Sequence, residues 1–310
     1  MTQSSPFLRI GTRGSPLALW QAHAVQASLA AAHGVSPEAI TIEVIRTTGD
    51  VIQDRPLSEA GGKGLFTKEI EQALIDGAID LAVHSSKDMP TVLPTGLELI
   101  ACLPREDVRD AFISHKAASL ADLPHGAVVG TASLRRQAMV KRLRPDVSVV
   151  TFRGNVDTRL KKLEAGVVDA TLLAFAGLKR LGGEAAATAV LDVETFLPAV
   201  GQGAVGIEAR AADARTCDLL AKINHAETMA AVQTERAFLA VLDGSCRTPI
   251  AGHARILGGS VVFRGMVLRP DGSEVHETTC KGAVVDGPAL GADAARELKG
   301  RTAPGFFAAA

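Results

Sequence analysis

Over the first two thirds of this chain, short apolar runs alternate with stretches patterned at helical spacing. That alternation narrows the possible folds more than any other feature, because it predicts parallel sheets with helices on both faces. "LRIGT" (8–12) reads as a strand and 15–33 as a helix, with Ser15 as its cap and Pro16 at its first position. Further strands are expected over 41–48, 79–85, 97–103, 127–132, 147–152 and 169–175, with helices over 66–76, 134–143, 156–165 and 213–222. After about residue 225 the pattern changes. The helical "AETMAAVQTERAFLAVL" is followed by strand-like runs at 250–257, 260–268 and 273–281, joined by the hairpin signals "LGGS" and "RPDGS". A last helix is expected at about 286–300, so this segment reads as a small α+β domain. A length of 310 residues suggests two or three domains.

Charge separates the functional classes. The net charge of -1 does not suit a nucleic-acid binder, and no run of apolar residues is long enough to span a membrane. The first twenty residues lack the basic and apolar regions of a signal peptide, so a cytoplasmic protein is expected. The near-neutral total hides a local excess. Residues 131–162 carry nine Arg and Lys against Asp146 and Asp157, an excess of seven positive charges. Thr131, Ser133, Arg135 and Arg136 fall where a strand gives way to a helix, and Arg153 and Arg159 flank the next such junction. Helix N-termini at the carboxyl ends of parallel strands bind anions, and arginines there add bidentate grips on carboxylate or phosphate. Lys141, Arg142, Lys161 and Lys162 read as solvated helix faces, and Arg144 is likewise expected to face solvent.

Other junctions repeat the arrangement. "RIGTRGSPLALWQA" places Arg13 and Ser15 at the first strand-to-helix turn, and "VHSSKDMP" places Lys87 and Asp88 at the end of strand 79–85. "GGKGLFTKE", with Lys63, lacks phosphate-loop spacing and reads as a loop, while "LPAVGQGAVGIEAR", with Gln202, reads as a crossover between domains. The four cysteines show no metal or disulfide spacing, and no histidine pairs at metal spacing, so no metal is expected. Cys102, Cys217 and Cys280 lie in helical or strand runs and read as packing residues. Cys246, in "LDGSCRTPIAG", instead sits among turn-formers ahead of Pro249, which makes it an accessible thiol on a loop.

These blocks, with "REDVRDAF", "VGTASLRRQ", "FRGNVDTRL", "AGLKRL" and "ERAFLAVLDGSCRTPIAG", resemble the porphobilinogen deaminase family in order and over nearly the whole length. The resemblance implies an α/β fold of two periplasmic-binding-protein-like lobes with the active cleft between them. A third, small α+β domain would carry an antiparallel sheet. The implied domains are 1–103 plus 204–222, 104–203, and 223–310, with 197–203 as a hinge strand. Cys246 matches the position that holds a dipyrromethane primer by a thioether, one per chain. The implied reaction is that of a transferase. Four porphobilinogen molecules add head to tail on the primer with loss of ammonia, and hydrolysis releases linear hydroxymethylbilane.

Asp88 matches the catalytic aspartate. Arg13, Ser15, Ser85, Lys87, Thr131, Ser133, Arg135, Arg136, Arg153 and Arg159 match carboxylate-binding positions, to which Lys63 and Gln202 are added. Ser86 and Met89 depart from the family pattern without removing a functional group. Each pyrrole brings two carboxylates, so the growing chain is a polyanion that suits the basic stretch. The resemblance also implies a cytoplasmic monomer that binds neither nucleic acid nor membrane. The alternative is a two-lobed solute-binding protein for a small dicarboxylate or other anion, which would have no need of a loop thiol in a third domain.

Overall fold

The computed structural model describes residues 6–51, 64–242, 249–303 and 306. The chain divides into two compact units. The first takes the N-terminal segment, the chain up to Arg105, and Ala204–Met229. The second takes Glu106–Gly203 and the chain from Ala230 onward.

The first unit begins with β1 (Leu8–Thr12), α1 (Pro16–His33), β2 (Ile40–Val44), α2 (Thr48–Val51), α3 (Lys68–Ile75), β3 (Leu81–Ser85) and β4 (Leu97–Cys102). Helix α1 starts where the sequence predicts. The Ser15 hydroxyl accepts from the Ala18 N–H at 3.3 Å, Pro16 takes the first turn, and Gly34 ends the helix in the left-handed conformation. Its Ala22, Val25 and Leu29 pack with Leu8, Ile10, Leu81 and Val83 of the sheet.

The second unit contributes β5 (Asp110–Ser114), β6 (Val128–Gly130), α4 (Leu134–Leu143), β7 (Ser148–Val150), α5 (Val156–Glu164), β8 (Ala170–Ala174), α6 (Phe175–Arg180) and β9 (Ala189–Val190). The chain then returns to the first unit as β10 (Val205–Arg210) and α7 (Ala214–Ala221). The rest consists of α8 (Ala226–Val241), β11 (Ile250–Leu257), β12 (Ser260–Leu268), β13 (Val275–Ala283) and α9 (Gly287–Arg301).

Both large sheets keep the expected parallel pairs and add antiparallel strands to them. The first has the order β2-β1-β3-β10-β4, with β1 parallel to β2 and β3, and β10 antiparallel to both β3 and β4. The second has the order β7-β6-β8-β5-β9, with β5 antiparallel to β8 and β9. Strand β10 escapes sequence reading because its burial leaves no alternation and its segment is rich in glycine. One of those glycines has a steric reason. A Cβ at Gly206 would stand 2.9 Å from the Met89 sulfur and 3.0 Å from Leu99 Cδ1. Strands β11, β12 and β13 form the expected antiparallel sheet. Helices α8 and α9 cover one face of it, where the Phe238 and Phe263 rings meet at a tilt with their centres 4.9 Å apart. Ala251, Met266 and Leu268 instead join Phe112, Val129 and Leu172 in the core of the five-stranded sheet.

Candidate active site

In the first unit, β3 ends at Ser85 and turns through Ser86–Asp88 in a single tight helical turn. The Ser86 N–H donates to the Ala204 carbonyl at 3.0 Å and Met89 is buried, so the turn is pinned at both ends. Lys87 and Asp88 are left exposed between those anchors, at the carboxyl end of a buried strand. The turn between β1 and α1 lines the same recess. Arg13, Ser15, Gln21, Phe66, Ser85 and Asp88 line one small open recess. Gln21 and Ser85 hydrogen-bond each other at 2.9 Å, and the Arg13 guanidinium lies 4.1 Å from the centre of the Phe66 ring. A cation beside the N-terminus of α1 suits a carboxylate on the ligand, and Asp88 lines the same recess.

The second basic site is built differently. Ser133 caps α4, accepting from the Arg136 N–H at 3.4 Å, while the Thr131 hydroxyl accepts from the Ser133 N–H at 3.1 Å. Arg135 and Arg136, in the first turn, do not project as open hooks. They are 4% and 6% exposed and converge on the fully buried Asp110. Arg135 donates to one carboxylate oxygen at 2.7 Å and Arg136 to the other at 2.6 and 2.9 Å. The Leu197 and Leu172 carbonyls accept one further bond from each arginine, and the Gln202 amide donates to Asp110 at 3.1 Å. Burial pushes the Asp110 carboxyl upward, but the two guanidinium charges outweigh it and hold the group at about 2. Two guanidiniums against one carboxylate leave one positive charge in excess. The buried Arg135 Nε has no hydrogen-bond partner. This donor set therefore fits a carboxylate-bearing group such as a dipyrromethane.

Arg153 and Arg159 flank the capped start of α5. Asn155 accepts from the Thr158 N–H at 2.8 Å, and Arg159 Nε donates to the Gly154 carbonyl at 2.8 Å. Lys162 Nζ donates to the Arg153 carbonyl at 3.1 Å. Arg142 is exposed, as expected, but Arg144 is not. Its side chain is 16% accessible, pairs with Asp146 at 2.6 Å, and donates to the carbonyls of Leu120, Ala121 and Leu123. A helix that ends at Arg144 leaves this side chain free to cap a neighbouring loop, which spacing along α4 does not reveal. Cys246 and Lys63 lie outside the described residues. Of the other thiols, Cys102 is buried, and burial pushes Cys217 and Cys280 upward, which suits packing roles.

Two residues of these sites are absent from the sequence expectations. Asp110 had a signal, an aspartate opening an apolar run in "RDAF", whereas Phe66 had none. Among the described residues no cluster of His, Cys, Asp and Glu could hold a metal ion, and no helix is long and apolar enough to cross a membrane.

Comparison with known proteins agrees along the chain. The family model "porphobilinogen deaminase, dipyromethane cofactor binding domain" matches residues 8–218, and the model of the porphobilinogen deaminase C-terminal domain matches 229–300. Porphobilinogen deaminases of Nitrobacter hamburgensis and Nitrobacter winogradskyi are each 62% identical over 298 residues, covering 96% of this chain and 94% of theirs. Among solved structures, the methionine-binding protein MetQ aligns with 72% of this chain and 91% of its own at 13% identity and a TM-score of 0.45. The VFT2 domain of Bordetella pertussis BvgS aligns with 70% and 86% at 15% identity and 0.39. With two family models spanning both units and relatives alike from end to end, the chain belongs to the porphobilinogen deaminase family.

Proposed function

We propose that, in the hydroxymethylbilane synthesis of this family, Asp88 is the carboxylate at the reacting centre and Arg13 and Ser15 hold a carboxylate of porphobilinogen beside it. The reaction joins porphobilinogen units head to tail with loss of ammonia, in tetrapyrrole biosynthesis. As the amine leaves, positive charge develops on the pyrrole, and a fixed carboxylate nearby stabilises it without moving. The pinned Ser86–Asp88 turn supplies that fixity, and Gln21 orients Ser85 on the same wall. The observation that carries this assignment is the convergence of Asp88, Arg13, Ser15 and Ser85 on one recess. Lys87 and Lys63 would add charge around it.

The dipyrromethane, when bound, supplies the free pyrrole position from which the chain is extended. Cys246 would hold it by a thioether, a thiolate being a good nucleophile toward an electrophilic methylene carbon. Thr131, Ser133, Arg135, Arg136 and Gln202, with Arg153 and Arg159, would hold its carboxylates and those of the lengthening chain. Asp110 keeps the two buried guanidiniums in place for that task. We also read the chain as three domains, 1–103 plus 204–222, 104–203 and 223–310, acting as a cytoplasmic monomer whose partner is porphobilinogen alone. The solute-binding alternative is not favoured, since the family models account for both units.

Asp88→Asn tests the assignment. It keeps the shape and removes the charge, so the variant should load the primer, bind porphobilinogen and lose turnover by orders of magnitude. The intact mass of the purified protein checks the rest, with an excess of one dipyrromethane mapping to the Cys246 peptide. Near-normal turnover in a loaded Asp88→Asn variant refutes the catalytic role, and a free Cys246 thiol in active enzyme refutes the attachment.

A further inference from the structure

The turn between β12 and β13 touches the helix that carries the buried arginine pair, and both lie in the second unit. Gly272, in that turn, has a φ of +75°. A Cβ there would stand 2.4 Å from the Arg142 nitrogen, 2.7 Å from the Ala138 carbonyl oxygen and 2.9 Å from the Arg142 Cα. All three atoms are backbone of α4, so no side-chain rotation makes room. The Gln137 amide also donates to the Pro270 carbonyl, at 3.4 Å. Alongside, Ala138, Met139 and Val140 of α4 share one core with Met266 and Leu268 of β12.

Neither partner yields easily. The turn is braced within itself, because the Arg269 N–H donates to the Glu274 carbonyl at 2.9 Å and the Gly272 N–H to the Arg269 carbonyl at 2.9 Å. The Asp271 carboxylate accepts from the Ser273 N–H at 3.0 Å. Helix α4 is seated in a packed core, which transmits a push rather than absorbing it. Arg135 and Arg136 lie within about 10 Å of the contact along the helix axis, at 1.5 Å per residue. Ordinary van der Waals contact begins near 3.4 Å, so a methyl group at 272 would drive turn and helix apart by about 1 Å. The bonds from the pair to Asp110 are 2.6, 2.7 and 2.9 Å long, and a bond stretched that far is lost.

We infer that Gly272 is a positioning residue for the dipyrromethane primer. Its missing side chain lets the β12–β13 turn seat against α4, and that seat sets where Arg135 and Arg136 point. The inference rests on the reading of this pair as holders of the primer's carboxylates. A misplacement of about 1 Å far from the chemistry can cost about a hundredfold, so the seat matters to the reaction although it touches no ligand. The coupling is reciprocal. A turn that sets the arginine pair is itself steadied by a primer that the pair holds.

Gly259, in the turn between β11 and β12, supplies the control. Its φ is also +75°, but nothing lies within 4 Å of its Cβ position, so Gly259→Ala meets the backbone strain without the contact. Gly272→Ala should at least halve the fraction of chains that carry the primer, read by intact mass. It should also move the side-chain Nε–H signals of Arg135 and Arg136 in arginine-labelled protein. Gly259→Ala should load as wild type and leave those signals in place. Unmoved arginine signals in folded Gly272→Ala overturn the inference. So does wild-type primer content in that variant when Arg136→Leu fails to load. If Gly272→Ala does not fold, the wild-type protein decides. Amide hydrogen exchange at residue 272 should be at least threefold slower in primer-loaded protein than in primer-free Cys246→Ala, with no such slowing at residue 259. An equal change at both turns overturns the inference as well. Failure of the primer reading is distinct, because folded Arg136→Leu itself then loads in full.

Discussion

Two strand-to-helix junctions with the same sequence grammar produce opposite kinds of cationic site. At the start of α1, Arg13 precedes the capping Ser15 by two residues, remains in the turn, and lies over the Phe66 ring beside an open recess. At the start of α4, Arg135 and Arg136 follow the capping Ser133 by two and three residues. The first helical turn then directs them into the unit, where Asp110 and the Leu197 and Leu172 carbonyls receive them. The arginine before the cap of α1 stays beside an open recess, and the two just after the cap of α4 are buried struts. Burial makes the strut precise and also makes its counter-ion indispensable.

The largest expected effect breaks the strut. Asp110→Ala leaves two guanidiniums buried without their carboxylate and should cost about 3–5 kcal/mol in urea unfolding. Arg13→Leu should cost less than about 1 kcal/mol while raising KM for porphobilinogen. Equal losses of stability at the two junctions would erase the distinction. Acid sharpens it. The folded Asp110 carboxyl sits near 2, below its unfolded value of about 3.9. Its stabilisation is therefore complete above that unfolded value and lost as pH falls toward 2. The melting temperature should fall through that window, and Asp110→Asn should flatten the fall.

Smaller effects come from the caps. Ser15→Ala and Ser133→Ala each remove one bond to a first-turn N–H and should cost about 1 kcal/mol in thermal unfolding. Ser133→Ala should also disturb the aim of Arg136, whose own N–H the serine receives. The smallest contrast lies at the far end of α4. Arg142→Leu should shift stability by no more than about 0.5 kcal/mol. Arg144→Leu, which loses Asp146 and three carbonyl partners, should lower the melting temperature visibly more.

What the sequence could show depended on how far each feature reaches. Helix α1 was readable because Ser15, Pro16 and Gly34 act within a few residues of one another. The hairpins of β11, β12 and β13 were readable for the same reason. Strand β10 was not, since its partners β3 and β4 lie about a hundred residues earlier. The candidate site divides likewise. Spacing placed Asp88, Arg13 and the Arg135–Arg136 pair at strand ends, but the burial of that pair depends on Asp110, a residue from a different strand. Arg144 misled because its partners come from a loop some twenty residues upstream.

The late arrival of β10 has a consequence for synthesis. The sheet of the first unit has a gap between β3 and β4 that nothing can fill until the ribosome has added the roughly one hundred residues separating β4 from Arg210. At about 5–20 residues per second that wait is on the order of ten seconds, long against the time in which hairpins and helices form. Throughout it, β3 and β4 present unpaired backbone of the kind that draws in other chains. A nascent chain halted before residue 205 should thus depend on chaperones far more than one halted after residue 221, where α7 ends.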